Sequence, residues 1–388
     1  HRNSMTNKEG GTEDEEYRVA AVIDRVNTTF EVLQSTTISC VQCHSHPYDP
    51  IKHEEYYKLM AFFNNTVDSD QNQNAPRMRI FNDKEKKKNE EMYSWILKYG
   101  NESELKLFKN FIEFINPVYQ ANKFEVIDKQ KAYFSSHIIG LRNGGSVMLK
   151  NANTLKNNNL YISNISYKDD VKIIFRKDSS EGKVLGELDF NKDKNLNFWN
   201  EGLDQKKVSV LKIPTLKKPF DLHISAYTNK KVNNKDVLFD FEWISFLPDI
   251  PGKNQPGFSK IKDKFLKLLV GTKFSNLHPV MLENPKHLDR KTFVFDRGNW
   301  MTTKDEVKPD VPMILNDWDE KWGKNRLGFS KWITSKENPL TARTIVNRIW
   351  YKIFGRGIVN SIEDMGTQSE TPSHPALLDW LAYEFMNE

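Results

Sequence analysis

The two cysteines of this 388-residue chain stand three apart, in Cys40-Val41-Gln42-Cys43-His44. One such pair cannot supply the framework of a disulfide-stapled domain. The chain must fold on buried apolar surface, and with 38% hydrophobic and 12% aromatic residues it has enough to do so. Its length fits two or three domains. The 57 Lys and Arg against 52 Asp and Glu leave a net charge of +5, too diffuse to predict a nucleic-acid partner. No run approaches the roughly 18 apolar residues of a membrane span. The chain opens at His1 without an apolar leader and ends at Glu388 inside a helical pattern, so an internal piece of a longer protein is expected.

Texture divides the sequence into three zones. Residues 1–122 read helical. Val19, Val22, Val26, Phe30 and Leu33 recur at helical spacing between Glu13 and Ser39, and Tyr56, Tyr57, Met60 and Phe63 form a stripe from His53 to Asn64. A third helical stretch spans Lys84 to Phe114. Residues 123–252 change to short alternating runs separated by Asn, Asp, Gly and Lys, the pattern of an all-β jelly-roll sandwich. Residues 253–388 return to a mainly helical texture, with a short strand at Phe293-Val294-Phe295. A helix from Pro339 is stopped by Gly355, and Ser373 is placed to cap a last one. The expected fold class is therefore multidomain α+β: helical flanks around an inserted sandwich.

The pentapeptide carries the chemistry. C-x-x-C-H has the spacing of covalent haem attachment, in which each thiol adds to one vinyl group. The adjacent His44 then serves as proximal iron ligand. Other readings are a redox pair, a partial zinc site, or a structural motif. Zinc would want a fourth ligand, usually from a second cysteine pair. A redox pair is expected beside a βαβ pattern, whereas this one follows an amphipathic helix. On the haem reading Cys40, Cys43, His44, His46 and Tyr48 are the cofactor-binding candidates, with Asp49 nearby. His1, His53, Met5, Met60 and His374 are the candidates for a sixth ligand.

Longer motifs carry a resemblance. Residues 2–11, Asp24 to Thr29, the run C-V-Q-C-H-S-H-P-Y-D-P from Cys40 to Pro50, Tyr56-Tyr57 and 61–65 resemble the first of two domains of unknown function in the planctomycete-type cytochrome c protein family. Arg297-Gly298-Asn299, Asn338 to Arg343, Val346 to Trp350, Phe354 to Gly357 and Pro372 to Trp380 resemble the second. The resemblance implies an exported protein of Planctomycetes or Bacteroidetes, at the periplasm or cell surface, whose genes accompany polysaccharide-degrading functions. It implies an electron-transfer or haem-dependent oxidoreductase role beside an N-terminal cytochrome c domain or another redox protein. It does not fix a reaction. Tyr351 and Lys352 depart from the family pattern, where His often follows the tryptophan, and Pro47 stands where Lys is common.

The β-rich segment resembles a carbohydrate-binding module of the jelly-roll kind, with Tyr133, residues 140–149, 182–186 and 240–244 as its strands. The resemblance implies a polysaccharide or sulfated glycan partner, and a structural calcium that no ligand loop in the sequence locates. Tyr161, Tyr167, Trp199 and Tyr227 are the aromatic candidates for stacking on sugar faces, and Trp243 could face either way. The acids and arginines Glu9, Glu15, Glu16, Arg18, Asp24 and Arg25 read as helix-terminal ion pairs before they read as catalytic groups, and Asp296, Arg297, Arg343 and Arg348 read as an interdomain ion-pair network before they read as an anion site for a sulfated sugar.

Overall fold

The stripe beginning at Val19 belongs to a helix at Asp14–Gln34, which buries Val19, Val22, Val26 and Phe30. It ends where Ser35 turns left-handed, with φ of 41°. The second helix is His53–Asn64, and its first turn is closed by Glu55, whose carboxylate accepts the Lys52 N–H at 2.8 Å. A computed structural model describes these and the other residues of 13–67, 77–116, 118–135, 137–193, 206–270 and 276–388.

The chain divides into two units, 1–70 with 281–388, and 71–280. In the first, Tyr56, Tyr57, Phe62 and Phe63 pack with Val294, Phe295, Phe329 and Trp332 around one core. The Phe295 strand is Thr292–Asp296, paired with Asn299–Val307. Arg297 and Gly298 connect them with φ of 49° and 75°. Two successive positive φ values make the tight turn that matches strand twist, and glycine takes the second position without penalty. Helices Arg326–Ile333, Thr341–Phe354 and Pro375–Asn387 complete the unit. Gly355 ends the middle one in the left-handed conformation, as the sequence indicates. Ser373 does not cap the last helix, because its hydroxyl is spent on the Ile358 carbonyl at 3.1 Å.

The second unit is built on two antiparallel sheets. One has the strand order Phe124–Val126, Gly145–Ala152, Phe220–Thr228, Val171–Lys177, Val184–Phe190. The other runs Lys207–Lys212, Asn159–Ser166, Val237–Leu247, Ile138–Arg142, Ala132–Ser135, with Tyr119–Gln120 also pairing Val237–Leu247. Phe124 meets Phe241 and Phe190 meets Phe239, each with ring centroids 5.0 Å apart, so these residues mark the inner faces.

The helical stretch before the sandwich is two helices, Asp83–Tyr99 and Glu102–Phe114. Gly100 breaks them, and Asn101 caps the second by accepting the Glu104 N–H at 3.0 Å. Together with Phe258–Leu268 they cover the outer face of the second sheet. Phe111 packs edge-on against Trp243 at 5.9 Å and Phe265 against Tyr161 at 6.0 Å. Residues 83–114 and 258–268 thus share a core with the sandwich. The expected divisions at 122/123 and 252/253 fall inside this unit.

Candidate functional site

Ser39–Gln42 form one 3-10 turn, in which the Cys43 N–H donates to the Cys40 carbonyl at 3.2 Å. A helix of three residues per turn sets residues three apart on one side, so both thiols stand together. Val41 points into the core and anchors the turn. Both cysteines are free. Cys40 is half-buried against the core, and burial pushes its thiol up, with the Asp49 carboxylate acting in the same direction. Cys43 is exposed but flanked by the hairpin turn, where a Cβ on Gly298 would lie 3.0 Å from its Sγ.

The peptide between the cysteines is pinned. The Gln42 carbonyl accepts the Tyr57 hydroxyl at 2.8 Å and His53 Nε2 at 2.9 Å. A carbonyl only accepts, so Nε2 of His53 carries its proton. Burial first, and the neighbouring Cys43 second, hold Tyr57 protonated well above the phenol range. His53 therefore positions the loop and has no Nε2 lone pair to give a metal.

His44 is arranged differently. Its Nδ1 lies 2.7 Å from the Ser45 carbonyl, which places the proton on Nδ1 and leaves the Nε2 lone pair without a partner among the described residues, on an exposed ring. Ligating histidines show this arrangement, with one nitrogen fixed by a carbonyl and the other free.

His46 is spent on both sides. Nδ1 accepts the Asp49 N–H at 2.7 Å and Nε2 donates to the Thr37 carbonyl at 3.1 Å. It shapes the loop, so neither ring nitrogen is available as a ligand. Tyr48 is 62% exposed beside it. Asp49 is buried and accepts the Thr367 N–H at 2.7 Å. Gly366 is required there, because a Cβ would come within 2.5 Å of the Asp49 carboxylate. Tyr57 and Gly298 stand in sequence motifs already noted, but their roles at this turn, and that of Thr367, were not read from the sequence.

Of the sixth-ligand candidates, Met60 is sealed in the core and His53 is committed. His374 is exposed, with Nδ1 on the Ser373 hydroxyl at 3.1 Å. His1 and Met5 lie outside the described residues. Among the described residues no three His, Cys, Asp or Glu side chains gather where they could hold a metal ion, so a zinc-type tetrahedron lacks its protein ligands.

The aromatic candidates separate. Tyr161 is only 3% exposed under Phe265, which corrects its assignment as a sugar platform. Trp243 is buried beside it against Phe111. Tyr167 is half-buried, its hydroxyl donating to Asp240 at 2.5 Å. Burial pushes the Asp240 carboxyl up to about 6. Trp199 lies outside the described residues. Tyr227 remains, 43% exposed at the end of its strand. The polar clusters are structural: Arg18 pairs with Glu15 at 2.6 Å, Asp296 with Lys304 at 2.7 Å and Arg343 with Asp379 at 2.7 Å. Arg348 donates to the Glu31 carbonyl at 2.8 Å.

Among the described residues no helix is long and apolar enough to cross a membrane. No curated protein matches the sequence. Solved structures similar to parts of the chain include a family 6 carbohydrate-binding module dissected by crystallography and calorimetry, 13% identical, covering 34% of this chain and 94% of that one, with a TM-score of 0.27. A module from Clostridium stercorarium in complex with cellobiose is 14% identical, with coverages of 34% and 94% and a TM-score of 0.27. A β-1,3-glucan-binding module from Bacillus halodurans is 14% identical, with the same coverages and a TM-score of 0.25. Two family profiles match the ends of the chain, both described as proteins of unknown function: PSCyt2 (DUF1549) over residues 1–68, which hold the C-x-x-C-H loop, and PSD1 (DUF1553) over residues 325–388.

Proposed function

We propose that this chain is an exported, c-type cytochrome-like protein. Cys40 and Cys43 of its first unit would hold a covalent haem, with His44 as an iron ligand, and its second unit would bind polysaccharide. The observation that carries the haem reading is the free Nε2 of His44, set one residue beyond two thiols that share one side of a single turn. Haem bound here supplies one-electron transfer. The chain's own residues hold the attachment turn: Tyr57 and His53 fix the Gln42 carbonyl, His46 fixes the loop that follows, and Asp49 ties it to Thr367. The raised Cys40 thiol stays protonated at neutral pH, unlike the low-pKa nucleophile of a disulfide exchanger. Thioether attachment takes place outside the cytoplasm, which fits a periplasmic or cell-surface address. An N-terminal cytochrome c domain or a separate redox protein would be the electron partner.

The polysaccharide reading is supported by a two-sheet sandwich that keeps an exposed aromatic, Tyr227, at a strand end. A second reading takes C-x-x-C-H as a metal or structural site, in a carbohydrate-binding, hydrolytic or scaffold component of a cell-surface complex. It is favoured by how fully His46, His53 and Tyr57 are already satisfied by backbone groups. Expression with a haem-attachment system, followed by haem staining of a denaturing gel, separates the two. Covalent haem in the wild type, lost in the Cys40→Ala, Cys43→Ala double variant, supports the first reading. A protein that folds and never stains supports the second.

A further inference from the structure

The outer face of the five-stranded sheet holds a row that the fold does not explain. Directly paired residues on antiparallel strands face the same side. Phe190 lies inside the sandwich and pairs Val171, so alternation places Val171, Ile173 and Phe175 inside, and with them their partners Ala226 and Ile224. His223, Ser225 and Tyr227 therefore project outward in line from Phe220–Thr228. Arg176 stands opposite His223 and Ile174 opposite Ser225 on one side, and Met148 stands opposite His223 on the other.

The floor of this row is polar and unsatisfied. His223 is 3% exposed and Ser225 0%, yet among the described residues neither His223 Nδ1 nor the Ser225 hydroxyl has a hydrogen-bond partner. Buried polar atoms without partners are rare and cost stability, and two of them two residues apart on one face call for a partner from outside. Charge gives its sign. Lys172 on this face is neutralised by Glu187 at 2.8 Å and Asp189 at 3.8 Å, whereas the Arg176 side chain makes no hydrogen bond or ion pair among the described residues. Burial, and then the Arg176 charge, lower the His223 pKa, so the imidazole offers a neutral nitrogen and Arg176 a guanidinium with no carboxylate paired to it among the described residues, while Glu125 stands opposite Met148 on the neighbouring strand. Tyr227 ends the row as an exposed ring, flat enough to take an apolar sugar face.

We propose that this row binds an anionic pyranose of a polysaccharide. One sugar ring stacks on Tyr227, the next lies over Ser225 and His223 with its hydroxyls toward them, and its sulfate or carboxylate pairs with Arg176, four residues or about 13 Å along the row. The assignment rests on the reading of the second unit as a polysaccharide binder.

Calorimetry on the whole chain at physiological salt, with dextran sulfate, polygalacturonate and uncharged dextran, tests it. Binding to at least one anionic polymer is expected, with uncharged dextran at least about tenfold weaker, as loss of one charged contact would give. Arg176→Gln and Tyr227→Ala should each weaken binding about tenfold, while Lys331→Gln, an equal charge change on the other unit, leaves it unaltered. Ser225→Ala should weaken binding several-fold while leaving the melting temperature at or above that of the wild type, because the hydroxyl it removes has no partner in the unliganded fold. Preference for dextran sulfate identifies the anion as sulfate, and preference for polygalacturonate identifies it as carboxylate. Equal affinity for uncharged dextran overturns the anionic assignment. Wild-type affinity in Arg176→Gln and Tyr227→Ala overturns the site but leaves the polysaccharide reading standing. Binding to none of the three polymers overturns both.

Discussion

Asp49 Oδ1 accepts the backbone N–H of Thr367 at 2.7 Å across 318 residues of sequence. Asp49 follows the C-x-x-C-H motif, and Thr367 lies in the closing segment. The loop that carries the chemistry is thus braced by the far end of the chain. The same brace continues where the Met365 N–H meets the Ser35 carbonyl at 2.6 Å and the Ser35 hydroxyl meets the Ile362 carbonyl at 2.8 Å.

That brace makes a double-mutant prediction. Asp49→Ala strands the Thr367 N–H and should cost about 1–3 kcal/mol. Gly366→Ala drives a methyl into the Asp49 carboxylate and should cost about as much by overpacking. Combined, the two should cost clearly less than their sum, because the first removes the atoms with which the second collides. Urea unfolding of the four proteins measures the coupling, and strict additivity would show that the contact does not exist in solution.

The thiols should differ in protein made without haem loading. Exposed Cys43 should react rapidly with a disulfide reagent, and half-buried Cys40 slowly, with a rate that climbs only above the ordinary thiol range. Cys43→Ser should delete the fast phase alone. Two equally fast phases would contradict the placement of Cys40 against the core.

Asp240 supplies a pH dependence. A carboxyl raised by burial holds its proton in the fold longer than in the unfolded chain. Its stabilising contribution is therefore complete below the ordinary value of 3.8 and is lost as pH rises through about 6. Asp240→Asn keeps an acceptor for Tyr167 and cannot ionise. It should match wild-type stability at pH 4 and exceed it at pH 8 by about 1–3 kcal/mol. Thermal unfolding at the two pH values checks this, and a variant less stable at pH 8 would show that the ion is well solvated or well paired.

The boundary of the second unit can be tested with fragments. Residues 123–252 alone would expose Trp243, Tyr161 and Leu247, which the flanking helices bury. That fragment should aggregate or unfold, whereas 77–280 should melt cooperatively. A soluble, cooperatively folded 123–252 would place the boundary where strand texture alone puts it.

Legibility from sequence followed the range of the interactions. His53–Asn64 was read to the residue, because its apolar stripe and opening acids are local signals. The strands of the sandwich were located for the same reason, through alternation and turn residues. Tyr161 failed because alternation gives a strand two faces and does not say what covers them. The helix bearing Phe265 lies about a hundred residues onward, and the structure buries every residue of Asn159–Ser166, on both faces of the strand. That the two flanks belong together was expected from the inserted sandwich, but the contacts that join them, such as Asp49 with Thr367, were not legible. In the motif itself, residue types identified Cys40, Cys43 and His44, but only hydrogen-bond geometry separates His44, with a free nitrogen, from His46, with none.

The central claim is that Cys40, Cys43 and His44 hold a covalent haem. The most direct measurement is the visible spectrum of the whole protein, produced with a haem-attachment system and recorded in the reduced state before and after acid-acetone extraction. A Soret band with resolved α and β bands that stays with the protein through extraction is the predicted result. A folded protein with no such bands, or with haem that leaves entirely into the acetone, would contradict it.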